Sequence, residues 1–224
     1  MKKNEIERQI RKYILPNQPT YYVDEHVMYK TFGEGFFIKG YLFYSKGDNE
    51  MGLKVTYFVM PLFLKEDRIA FTLGDELYFL EKNNFFKKTK SIWWNVKKEY
   101  QDDTFRQISK TIQLQGERIL NQFNICNDFY NLHKSGKKDS IRINEAITYS
   151  TILFASIDFQ DKLLKNLIKD AENERDIDWV HQIKKDAQFL LNTRSSLDRI
   201  AILKSWANET VAQLKLPKIN PFIL

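Results

Sequence analysis

Apolar residues fall at helical spacing in the first stretch, Glu5 to Leu15, where Ile6, Ile10, Tyr13 and Ile14 line one face. Pro16 and Pro19 end that pattern, so one amphipathic helix is expected. From Thr20 the period shortens: Tyr21 and Val23, then Val27, Tyr29 and Thr31, alternate as in extended chain. Phe36 to Ser45 reads as a second strand, in which Gly40 marks a bulge or a close backbone approach. Lys46 to Gly52 is the clearest turn signal, and Leu53 to Leu64 is the next strand, interrupted at Pro61. That strand contains Tyr57 to Leu64, the most apolar run in the N-terminal half, which is expected at the centre of a sheet. Lys65-Glu66-Asp67-Arg68 reads as a charged turn before a short strand, Ile69 to Leu73. These short connections predict an antiparallel meander of about four strands. Leu77 to Leu80 fits strand or helix.

Beyond Asp102 the period is helical throughout. Asp102 or Asp103 is a candidate cap for a helix carrying Phe105, Ile108, Ile112, Ile119 and Phe123, with Gly116 weakening its continuity. A further helix is expected over Ile125 to His133, then a loop over Ser135 to Asp139. Ile141 to Ala155 and Phe159 to Ala171, the second capped by Asp158, are expected as an antiparallel pair. Ile177 to Leu191 and Ser196 to Leu214 are expected as a second pair, and Phe222-Ile223-Leu224 is apolar enough to dock on the body. The reading is an α+β protein: residues 1–95 form a leading helix and an antiparallel sheet, and residues 96–224 a helical bundle, as one body or two close domains.

Composition narrows the class. At 224 residues with 43% hydrophobic and 29% charged side chains the chain has ordinary globular usage and enough length for a sizeable core. Only 8 glycines and 5 prolines favour long regular elements over a turn-rich β protein. The lone Cys126 excludes an internal disulfide and a cysteine-rich zinc site. The N-terminus lacks a signal-peptide pattern and no apolar run approaches a membrane span, so the expected setting is cytoplasmic, with no membrane partner.

Several chemistries find no pattern. His26, His133 and His181 are far apart in sequence, as a metal site built on local spacing would not allow. Cys126 with His133 suggests a nucleophile, but Ile125 and Phe129 beside it favour a small buried hydrophobe. Glu172, Glu174, Asp176 and Asp178 resemble a calcium loop until Ile177 and Ile183 occupy the glycine and bidentate-acid positions. Asp75 and the adjacent Glu81-Lys82 hint at a nuclease set, yet neighbours on one strand point to opposite faces. No phosphate loop, dinucleotide fingerprint or nucleophile elbow occurs, and no cofactor is implied.

The net charge of +6 is divided equally between residues 1–96 and 97–224. It is uneven at one place only: Lys82, Lys87, Lys88, Lys90, Lys97 and Lys98 occupy a window with no acid, interleaved with Phe85, Phe86, Trp93 and Trp94. Lysines neutralise phosphates and exposed aromatics stack on bases, so Lys87, Lys88, Lys90, Trp93, Trp94 and Lys97 are the candidate nucleic-acid-binding residues. The competing account makes the aromatics a core seam fringed by solvated lysines, and the absence of arginine from the window favours it.

Some scattered segments are shared with a known plan. The leading helix, Gly35-Phe36-Phe37-Ile38-Lys39-Gly40-Tyr41, Phe71-Thr72-Leu73-Gly74, Trp93-Trp94, Ser205-Trp206 and Leu214-Lys215-Leu216 together resemble a family of uncharacterised bacterial domains of unknown function. The resemblance implies the same fold plan and brings no catalytic motif. The functional expectation is a non-catalytic bacterial interaction or accessory protein with a protein partner of unidentified kind. The alternatives are a nucleic-acid-binding module using residues 82–98, and an enzyme whose site is assembled from distant positions.

Overall fold

The computed structural model describes residues 1–45, 52–66, 69, 72–82, 88–124, 128 and 140–216. The chain divides into a sheet unit, Met1–Phe32, Ile38–Met60 and Leu73–Phe123, and a helical unit, Gly33–Phe37, Pro61–Thr72 and Asn124–Leu224. The α+β class is as the periodicities predict: a leading helix, an antiparallel sheet and a C-terminal helical bundle.

In the sheet unit, α1 (Lys3–Tyr13) buries Ile6, Gln9 and Ile10, and a 3₁₀ turn containing Pro16 ends it. The strands β1 (Tyr22–Asp24), β2 (Val27–Phe32), β3 (Phe37–Ser45), β4 (Gly52–Pro61) and β5 (Leu73–Glu76) lie side by side in chain order. β6 (Phe79–Lys82) and β7 (Lys88–Ser91) form a separate antiparallel pair, resolving Leu77 to Leu80 in favour of strand at its end. β8 (Trp94–Asn95) pairs with β4 at Gly52 and Leu53, and β5 with β4 at Thr56 to Val59. Gly40 is the close approach its place in a strand suggests: a Cβ there would lie 2.0 Å from the Met28 carbonyl oxygen.

The apolar run Tyr57 to Leu64 is not one strand. β4 is interior, but it stops at Pro61, which has no N–H to donate, and Leu62–Leu64 turn into a buried 3₁₀ segment of the helical unit. The short strand expected at Ile69 to Leu73 instead begins at Leu73.

The helix after the sheet also departs from a simple 3.6-residue pattern. α2 (Gln101–Thr111) starts one residue before the aspartates, with Tyr100 at the cap, so Asp102 and Asp103 lie in its first turn rather than capping it. It continues through a π turn, Ile112–Gly116, into α3 (Glu117–Gln122). The wider π turn rotates the face that follows, so Ile108, Ile112, Gly116 and Leu120 are buried at steps of four, while Ile119 is only partly buried.

In the helical unit, α4 (Ile141–Thr151) is capped by the Ser140 hydroxyl, which accepts from the Arg142 N–H at 3.2 Å. α5 (Ile157–Glu172) is preceded by Ser156 at its cap, with Asp158 inside its first turn. α4 packs on α5, and α5 on α6 (Asp178–Asn192). The second expected pair does not form as drawn: α7 (Ser196–Gln213) packs chiefly on Leu62–Leu64. Two interactions draw it there. Phe36 and Phe37 meet Phe63, Phe63 meets Tyr149 and Tyr149 meets Trp206 of α7 in one aromatic chain, with ring centroids 5.5 to 6.5 Å apart. The buried Arg199 ties α7 to α5 through Gln160 at 3.0 Å and Asp161 at 2.6 Å, and to the Thr193 carbonyl at 2.9 Å.

The helix expected over Ile125 to His133, apart from Asp128, the loop over Ser135 to Asp139, Cys126, most of the Lys46 to Gly52 turn and the terminal Phe222-Ile223-Leu224 lie outside the described residues. Among the described residues, no helix is long and apolar enough to cross a membrane.

Candidate functional site

Three stretches of the helical unit converge on one cavity. The turn leaving Leu64 supplies Lys65, with Glu66 beside it. α4 supplies Arg142 and Glu145, three residues apart and so on one face, with Tyr149 one turn further along that face. α6 supplies Asp178 and Trp179, then Gln182 and Ile183, then Asp186, again at steps of four. Together Leu64, Lys65, Arg142, Glu145, Asp178, Trp179, Gln182, Ile183 and Asp186 enclose about 360 Å³. A cavity of that size with a few convergent polar groups has the form of a small-molecule site.

Its charges are paired in two sets. Arg142 Nη1 donates to Glu145 Oε2 at 2.9 Å and lies 3.6 Å from Glu66 Oε1, while its guanidinium sits 4.9 Å from the centre of the Trp179 ring. Lys65 Nζ donates to Asp186 Oδ1 at 2.9 Å and lies 3.9 Å above the Trp206 ring. Lys65 also ends the 3₁₀ turn in a left-handed backbone, φ 52° and ψ 42°, which costs a residue with a Cβ about 1–2 kcal/mol. Gln182 Nε2 also donates to Asp186 Oδ1 at 2.9 Å, and the Tyr149 hydroxyl to the Ile183 carbonyl at 3.4 Å.

Glu145 is the most unusual group. Burial pushes its carboxyl up, Arg142 pulls it down, and the nearby Glu66 and Asp186 push it up again, leaving it at about 8. Burial, with Glu145 and Asp186 nearby, raises the Tyr149 phenol well above its ordinary value. Perturbed acids inside a cavity are a recognised mark of a functional site.

The residues read from the basic window are in the sheet unit. Trp94 is 1% exposed and its ring lies 5.1 Å from that of Phe79. Trp93 is half-buried, 6.4 Å from the Tyr44 ring, with Lys54 Nζ 5.7 Å from its centre. Lys90 is exposed and its Nζ stands 4.4 Å over Tyr78; Lys97 and Lys98 are exposed. Lys88 lies on β7, and Lys87 lies outside the described residues. The structure thus brings Trp93 beside Tyr44 and Lys54, a grouping that sequence order does not suggest, and puts Trp94 in the core.

The sheet unit also contains a polar cluster at the end of the π turn. Glu117 accepts from the hydroxyls of Tyr21 and Tyr41 at 2.5 and 2.8 Å, and Lys30 Nζ is 3.2 Å away. Lys39 is buried nearby, donating to the Leu120 carbonyl at 2.8 Å, and burial lowers its pKa. Gly116 is required there, because a Cβ would lie 2.6 Å from the Tyr41 ring. This cluster is closed and fully bonded, which makes it a structural joint of the sheet unit.

Among the histidines, His181 pairs with Asp176, while His26 lies 3.5 Å from Glu25 and its pKa is lowered by burial; His133 lies outside the described residues. Among the described residues, no group of three or more metal-ligating side chains converges. The sequence reading names Leu64 in an apolar run, Lys65 and Glu66 in a charged turn and Asp178 and Ile183 in the failed calcium pattern, but does not bring them together or single out Arg142, Glu145, Trp179, Gln182 or Asp186. The available signal was Glu145 between Ile141 and Tyr149 on a face too apolar for an unpaired acid.

No family model matches the chain, and neither a curated protein nor a solved structure matches it.

Proposed function

We propose that this chain is a ligand-binding accessory protein, acting without catalysis in the bacterial cytoplasm, and that its ligand is a small polar molecule held in the cavity of the helical unit. The observation that carries this reading is the convergence of a buried acid, a guanidinium and a partly exposed indole on one 360 Å³ space. A strained Lys65 at its rim supports it, since strain of that kind persists where the surrounding structure requires it. Any protein partner would respond to the liganded form.

The test is an amide NMR titration of the full chain with butylguanidinium, valerate and pentanamide, one cationic, one anionic and one neutral probe of similar length. At least one is expected to shift residues 142–149 and 178–186. Gln182→Trp, which fills the cavity from an exposed position, is expected to abolish that shift. Silence from all three probes, or shifts indifferent to Gln182→Trp, would remove the reading. Turnover of any substrate lost on changing one cavity residue would replace it with an enzyme.

A second reading is favoured by the pairing of Trp93 with Tyr44, which is 50% exposed, under Lys54. Partly exposed rings beside lysines are what a single-stranded nucleic acid uses. Fluorescence anisotropy with single-stranded DNA, RNA and duplex DNA tests it: binding must weaken steeply with salt and be lost on charge reversal at Lys87, Lys88 and Lys90.

A further inference from the structure

We propose that the occupant of the cavity is a small organic cation, and that it enters as Glu145 releases a proton; this rests on the cavity being a ligand site. The charge inventory argues for the sign. With Glu145 holding its proton at pH 7, Asp178 and Asp186 line the space and Glu66 meets the guanidinium. That sets three acids against Lys65 and Arg142, a surplus of one, with Asp178 exposed in the first turn of α6. Lys65 is matched by Asp186, and Arg142 is shared between Glu145 and Glu66. Asp178 has no cationic partner among the described residues. An incoming anion would add to a surplus of negative charge at short range, whereas a cation neutralises it.

The walls suit a cation with an apolar body. Trp179 is 38% exposed, and the Arg142 guanidinium already rests against its ring, so that indole accepts a cation. Leu64 and Ile183 offer apolar contact for a short tail.

The proton follows from what faces Glu145. Arg142 and Tyr149 face it from its own helix, Glu66 and Lys65 from the turn after Leu64, and Asp186 from α6. With its pKa at about 8, Glu145 is mainly the neutral acid at pH 7, and a cation beside it favours the carboxylate. The proton leaves to solvent and the cation replaces its charge. No bond other than O–H is broken.

The test is calorimetry of the full chain with butylguanidinium, whose charge does not change over the range, in buffers of different ionisation enthalpy. Close to one proton is expected to be released per probe at pH 7 and none at pH 9.5. Affinity should rise about tenfold per pH unit from 6 to 8 and then level off. In wild-type protein, the carboxyl carbon of Glu145 should titrate at lower pH with the probe bound, a readout that needs no variant. Glu145→Gln should bind more weakly and release no proton. If valerate or pentanamide fills the cavity and butylguanidinium does not, the cavity reading stands and the cation inference falls. If no probe binds, both fall. Cation binding without proton release overturns the coupling.

Discussion

Glu117 in the sheet unit is half-buried and Glu145 in the helical unit fully buried, and these two helical glutamates end with opposite proton affinities. Burial pushes Glu117 up as well, but two tyrosine hydroxyls and Lys30 outweigh it, and its carboxyl lies below the ordinary 4.5. Glu145 has a single hydrogen-bonding cation, and that cation is shared with Glu66, so burial wins and the carboxyl rises to about 8. The difference shows that a carboxylate's charge follows the balance between its burial and the donors committed to it: Glu117 is less buried and better supplied, Glu145 more buried and worse supplied. A carboxylate with all its donors supplied holds structure together. One with a shared donor and acidic neighbours keeps a proton it can exchange.

The two acids should therefore impose opposite pH slopes on stability. Between pH 4.5 and about 8 the folded chain keeps the Glu145 proton that the unfolded chain has lost, so this group makes stability fall as pH rises through that window. Glu145→Gln should remove that slope, a change on the order of 4 kcal/mol between pH 4.5 and 9, measured by urea unfolding with hydrogen exchange of α4 amides as the probe. An unchanged slope would break the comparison on the helical side.

Glu117→Ala comes next. It leaves Lys30 and two buried phenols without their acceptor and should cost about 3 kcal/mol at pH 7, read from the same exchange experiment in α3 and β3. Below pH 4.5 the wild type itself loses this contribution, because the unfolded chain then takes up the proton more readily than Glu117 does; the variant should show a flatter acid limb. Tyr41→Phe should cost about 1.5 kcal/mol and move the Glu117 pKa upward, towards the behaviour of Glu145. A Glu117 carboxyl carbon that still titrates as in the wild type would mean that Tyr41 contributes packing alone. The smallest effect is expected from Lys54→Gln, a half-buried position on interior β4 that loses its 2.8 Å ion pair with Glu76, which should cost under about 1 kcal/mol yet weaken any single-strand binding through Trp93.

Much of the fold was legible because it rests on local rules. Pro16 ends α1, Gly40 allows β2 to approach β3, and short connections order β1 to β4 as a meander, which β5 joins after the longer stretch 62–72. The misreadings arose where a segment answers to distant partners. Asp102 and Asp158 were reasonable caps by type, but each helix begins earlier, at Tyr100 and Ser156. The face after Ile112 was mistaken because a π turn breaks the period from which faces are read. α6 and α7 look like an αα pair by length and connection, yet Arg199 and Trp206 direct α7 to α5 and to the aromatic chain through Phe63.

The sequence by itself determined the class of this protein, the order of its elements and the sign of its surplus charge, since backbone propensity, periodicity and turn chemistry act within a few residues. Tertiary structure alone decided that Tyr57 to Leu64 is divided at Pro61 between strand and 3₁₀ turn, that Trp94 is buried while Trp93 meets Tyr44, and that Lys65, Arg142, Glu145 and Asp186 share one cavity. Proton affinity depends on charges and donors within a few ångströms, and those neighbours come from distant positions, as Tyr21, 96 residues from Glu117, and Glu66, on the turn before the helices, do.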